Sequence, residues 1–175
     1  MSFDADTFAE QFMSSGTTSA HSTERSLVPA GQYLLTILDD VGAEEYKTIH
    51  MRKGVGQSRD GEPRPWMLMN VPMQIQQRLD DPSDQSCQGR LVTYTLFLDL
   101  ETNGEEILGL DTAPGANIKL GKLRDAVGQN NEGEAWNPHM LGGNAVTGDV
   151  RHNTRAGRDG EDRTYAEVVA VASAP

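Results

Sequence analysis

The sequence predicts a mainly β domain: a curved five-stranded barrel with long loops, an N-terminal arm and one helix before the last two strands. Three observations lead there. GRLVTYTLFLDL, residues 89–100, alternates throughout, with Val92, Tyr94, Leu96, Leu98 and Leu100 on one face and Thr93, Thr95, Phe97 and Asp99 on the other. A second run, WMLMNVPMQIQQRL, sets Met67, Met69, Val71, Met73 and Ile75 against Trp66, Asn70, Gln74, Gln76 and Arg78. Period-2 patterning of this length belongs to half-buried strands, and two such strands need one shared core. Third, a convincing helical spacing occurs once, in ANIKLGKLRDAVG, where Leu120, Leu123 and Val127 share a face and Gly128 is placed to terminate it.

The elements follow in order. Residues 1–26 read as a flexible acidic arm: Thr7 and Glu10 have capping-box spacing, Phe8 and Phe12 lie four apart, and a polar Gly/Ser/Thr stretch follows. Those two phenylalanines either dock on their own domain or anchor a neighbouring subunit or partner. The folded domain spans residues 27–175. Pro29 and Gly31 mark a turn before a first strand in which Tyr33, Leu35 and Ile37 alternate with Gln32, Leu34 and Thr36. EEYKTIHMRKG gives a second strand, and GVGQSRDGEPRP an exposed hairpin or flap rich in glycine, proline and charge. The two organising strands come next, joined across residues 80–88. A tight turn at Asn103-Gly104 then leads to a short returning strand through Ile107, Leu108 and Leu110. After the helix, an irregular stretch offers Trp136 and Met140 as plugs. NAVTGDVRHNT and RTYAEVVAVASA then form a long closing hairpin around RAGRDGED. This order of elements is that of an OB-type barrel.

Composition narrows the function classes. With 37% hydrophobic residues the core is modest, and no apolar run approaches a membrane span or a signal peptide. Cys87 is the single cysteine and four histidines are scattered, so neither an internal disulfide nor a zinc site is indicated and a reducing, intracellular setting is expected. The net charge of -11, from 26 acidic and 15 basic groups, argues on its face against nucleic acid. Its distribution argues otherwise, because basic residues gather in residues 47–90 and again in 151–163.

No nucleophile, base and orienting group recur in a recognisable pattern. Gly54-Val55-Gly56 lacks the rest of any phosphate-binding signature, and carboxylates such as Asp39, Asp40 and Glu105 sit in turns, where solubility is their ordinary role. The expectation is a non-enzyme with no cofactor and no metal. Single-stranded nucleic acid asks instead for aromatic rings on an outward sheet face and basic residues for phosphate oxygens. Tyr46, Trp66 and Phe97 are the stacking candidates; Lys47, Arg52, Lys53, Arg59, Arg64 and Arg90, with Arg151, Arg155 and Arg158 on the last hairpin, are the phosphate candidates. The bland alternative for each aromatic is ordinary packing.

The MSFD start, VPAGQY before the first strand, Gly89-Arg90 opening the central strand, GKLRDAVG in the helix, LGGNAVTGDV and the closing YAEVVAVA carry a resemblance over most of residues 27–172. They resemble a family of small bacteriophage proteins encoded among replication and recombination genes, some described as single-stranded DNA-binding. The resemblance implies a viral protein that coats exposed single strands in the host cytoplasm, with homo-oligomers and replication or recombination proteins as further partners. The chain ends in VASAP rather than in the acidic tail of many such binders, a part the acidic Phe8/Phe12 arm is able to play. The alternative is a phage structural protein, a capsid decoration or assembly module, whose arm and loops make subunit contacts.

Overall fold

The computed structural model describes residues 26–39, 50–57, 63–103, 106–157 and 159–175. Its elements are β1 (Gly31–Ile37), β2 (His50–Gln57), β3 (Pro63–Arg78), β4 (Leu91–Asn103), β5 (Glu106–Leu110), helix α1 (Ile118–Ala126), a 3-10 turn at Pro138–Leu141, β6 (Ala145–Ala156) and β7 (Asp162–Ser173). The apolar periods place the core where the pattern puts it. Met69, Val71, Met73 and Ile75 of β3, Val92, Tyr94, Leu96, Leu98 and Leu100 of β4, and Tyr33, Leu35 and Ile37 of β1 are all buried.

Strand β3 organises the sheet because it is long enough to serve three neighbours. Its first half pairs with β2, its second half with β1, and its other edge with β4 from Trp66 to Gln74. Pro72 falls between the last described β2 partner, Leu68, and the first β1 partner, Met73. Its carbonyl accepts from the Leu38 N–H at 3.1 Å, and at this junction no ladder bond needs the N–H that proline lacks. Proline in a central strand is tolerated here for that reason.

The described strands form one seven-stranded sheet of order β2-β3-β1-β6-β7-β4-β5, with the further β3–β4 pairing. This corrects the expected OB-like, five-stranded barrel. Among the described residues there are seven strands, β2 and β5 lie outside the ring of pairings, and β4 and β7 meet in parallel at two residue pairs alone, Thr93–Glu167 and Tyr94–Val168. So short a seam does not make a barrel wall. Alternation reports which face of a strand is buried and says nothing of how many neighbours it has.

Of the expected hairpin or flap, the hairpin is what forms, β2 and β3 pairing antiparallel up to Gln57–Pro63. Gly54 to Gln57 continue β2, and β3 begins at Pro63, so Arg52, Lys53 and Arg64 stand on strands and not in a loop. The last two strands do form the long expected hairpin, paired from Val146–Ser173 to Ala156–Asp162. Where β6 crosses β1, Gly148 faces the core: a Cβ there would meet Leu35 Cδ1 at 2.3 Å and Val168 Cγ1 at 3.3 Å. Only glycine lets the two strands approach this closely.

Helix α1 caps the core with Leu120 and Leu123. It ends as expected at Gly128, whose φ of 70° permits a Schellman closure, Gln129 N–H to Arg124 O at 2.7 Å and Gly128 N–H to Asp125 O at 3.1 Å. At its start, Asn117 adopts φ 49° and turns its amide away from the helix. Its Oδ1 accepts from Asp99 N–H at 2.8 Å, and its Nδ2 donates to the carbonyls of Asp99 and Asp111, each at 2.9 Å. One side chain thus fixes the helix to β4 and to the segment after β5. In the irregular stretch Leu141 is the buried plug, while Met140 is exposed. Trp136 packs at the core margin, donating to Gln129 Oε1 at 3.0 Å beneath the Arg124 guanidinium.

Candidate functional site

The outward face of β3 and β4 carries the residues that the core rejects. In register, Trp66 lies opposite Asp99, Leu68 opposite Phe97, Asn70 opposite Thr95, and Gln74 opposite Leu91. Trp66 and Phe97 are therefore diagonal neighbours, a spacing at which aromatic rings meet across an antiparallel pair. Their centroids are 5.5 Å apart and their planes tilted by 51°. Trp66 is half-buried and Phe97 is 62% exposed, so the pair presents a ring face to solvent. On the flank of Trp66, β2 places Gly54 opposite in register. Next along the face, Thr95 Oγ1 donates to Asn70 Oδ1 at 2.9 Å. Leu91, at the far end, is half-exposed.

The predicted basic residues are not all brought to this face. Arg52 and Lys53 on β2 and Arg64 on β3 belong to the strands that carry or flank Trp66. Tyr46, Lys47, Arg59, Arg158, Phe8 and Phe12 lie outside the described residues. Arg90 is tied to the segment leading into β1, donating to the carbonyl oxygen of Ser26 and to its Oγ at 3.4 Å. Arg151 pairs with Asp149 at 2.8 Å, and Arg155 with Glu167, both on the β6–β7 hairpin. Arg155 also lies over the ring of Tyr165 at 5.5 Å. Tyr165 is 43% exposed and was not among the sequence candidates. The signal that finds it is the period-2 spacing of Arg163, Tyr165 and Glu167 against Ala166 and Val168.

A second polar cluster is spent on architecture. Arg78 donates from Nε to Asp80 at 2.8 Å and from Nη1 to Asp84 at 3.0 Å, which raises its own pKa. Hydrogen bonds from the Ser86 hydroxyl and backbone, together with Arg78, lower the Asp84 carboxyl to about 2. Asp80 is lowered by the same guanidinium. The adjoining recess, about 160 Å³ and bordered by Tyr33, Gln76, Arg78 and Asp84, thus faces a cation whose bonds are already satisfied. Burial pushes the Tyr33 and Tyr94 hydroxyls up, and Tyr33 donates to Pro29 O at 2.9 Å.

Among the described residues no group of three or more His, Cys, Asp or Glu is placed to hold a metal ion. No described helix is long and apolar enough to cross a membrane. Comparison with family models, curated proteins and solved structures returned no match for this chain.

Proposed function

We propose that this chain is a non-catalytic single-stranded DNA-binding protein whose primary platform is the outward Trp66–Phe97 pair. The observation that carries the reading is that an exposed ring, in tilted contact with a second one, stands on paired neighbouring strands rather than on a loop. Stacking on such a platform is tolerant of sequence, because every base has a ring face. Arg52, Lys53 and Arg64, on the flanking strand segments, are the nearest phosphate partners in sequence and register. Each phosphate these cations neutralise releases counterions, so affinity falls as salt rises, while a net charge of -11 keeps overall attraction weak enough for easy release. The setting is the phage replication or recombination that the resemblance implies.

Fluorescence provides the test. In a Trp136→Phe variant, Trp66 is the sole indole, since the chain has two tryptophans. Oligo-dT should quench it saturably; an unchanged emission at low salt would overturn the platform.

A specific observation also favours a protein contact. Ile107 and Leu108 on the edge strand β5 are 43% and 56% exposed. A subunit or assembly contact there would make oligomerisation sensitive to Leu108→Ser in analytical ultracentrifugation, and an unchanged sedimentation profile would remove this second reading.

A further inference from the structure

The β6–β7 hairpin carries a second outward face that meets the first at the β4–β7 seam. Val146, Gly148 and Val150 of β6, with Val168 of β7, point into the core. The opposite parity therefore sets Arg151 and Arg155 of β6 and Arg163 and Tyr165 of β7 on one outward surface. The contacts bear this out: Arg155 reaches both Glu167 and the Tyr165 ring, and Asn153 Nδ2 donates to Glu167 at 3.2 Å. Strand β7 joins β4 at Thr93–Glu167 in parallel. Two residues earlier on each strand come Leu91 and Tyr165, both substantially exposed. From Leu91 to Phe97 is six residues of extended chain, about 20 Å. The two exposed aromatic stations thus stand on strands that meet at this short seam, on the order of 20 Å apart along the chain direction of β4, with Thr93 and Thr95 of β4 between them.

Resting on the single-strand reading above, we infer that the Tyr165 surface is a second segment of the same site, which a strand reaches after leaving Trp66 and Phe97. Arg155 can cover one face of the Tyr165 ring and leaves the other for a base. The three arginines of this surface are paired with Asp149, Glu167 and Asp159, and their side chains are 68%, 52% and 57% exposed. Ion pairs so exposed hold weakly, so phosphate oxygens can replace the carboxylates. Each exchange frees a carboxylate beside the strand, which makes the electrostatic gain small. Stacking on Tyr165 supplies the net attraction.

The test is a length series with oligo-dT of about 4 and about 15 nucleotides, lengths that fit one station and both. Wild-type affinity should rise steeply between the two lengths. In Tyr165→Ala the affinity for the longer oligonucleotide should fall about ten-fold, with much of the length-dependent gain lost, and Tyr165→Phe should restore it. If Tyr165→Ala binds the longer strand as wild type does, the second segment is wrong while the Trp66–Phe97 platform stands. If wild type binds neither length, both readings fall together.

Discussion

Replacing Phe97 with alanine separates binding from folding, because the ring contributes differently to each. In the free protein Phe97 is 62% exposed, and its main described ring contact is the tilted one with Trp66. An aromatic pair of this kind contributes about 0.5–1.5 kcal/mol beyond area burial. For a chain of this length 1 kcal/mol corresponds to a Tm shift of about 2–4 °C. The variant should therefore melt within a few degrees of wild type. A base stacked on the ring is worth about 1–3 kcal/mol, a loss of about 5- to 150-fold in affinity. Leu98→Ala is the contrasting control: its side chain is 2% exposed, so truncation should cost about 2–5 kcal/mol of stability. Fluorescence anisotropy with labelled oligo-dT, alongside thermal melts, reads both quantities. Wild-type affinity in a folded Phe97→Ala protein would refute the stacking argument.

Other consequences of the structure are equally specific. Gly148→Ala forces a methyl against the buried Leu35 and Val168 side chains and should destabilise by about 1–3 kcal/mol, seen as a lowered urea midpoint with an unchanged slope. Asn117→Ala removes three hydrogen bonds and places alanine in a left-handed conformation, so it should cost about 2–3 kcal/mol; Asn117→Gly, which tolerates φ 49°, should cost less. Asp84 titrates at about 2 in the folded chain against an ordinary 3.8. Because its folded pKa is depressed, its contribution to stability is complete above the ordinary value and is lost as pH falls through about 2. Melting temperatures of Asp84→Asn across that window should fall less steeply with acid than those of wild type, and parallel curves would contradict this.

The faces of the strands were legible in the sequence, and their neighbours were not. Every second residue from Met69 to Ile75 and from Val92 to Leu100 is buried as the alternation requires, since the pleat alone sets that period. Helix α1 and its glycine stop were readable for a similar reason, as local spacing and local backbone preference fix both. The strand pairing was not, and the expected barrel fails on it, because pairing depends on contacts far apart in sequence: β3 serves three strands, and β4 meets β7 at two residue pairs. Leu68 shows a different limit, an apolar side chain on the outward face beneath the aromatic pair, where hydropathy alone would send it inward. Arg90 illustrates the hardest case. Its charge suggested a phosphate contact, and its nearest partner is the main chain at Ser26, 64 residues away. The ring pair was half legible: Trp66 and Phe97 stood out as aromatics on polar faces, but only register brings them together.

The central claim is tested most directly by titrating the protein into labelled oligo-dT and into duplex DNA of equal length, at low and at moderate salt. The account predicts saturable binding to the single strand, weaker binding to the duplex, and an affinity that falls as salt rises. Absence of binding at low salt, or a duplex bound as tightly as the single strand, would contradict it.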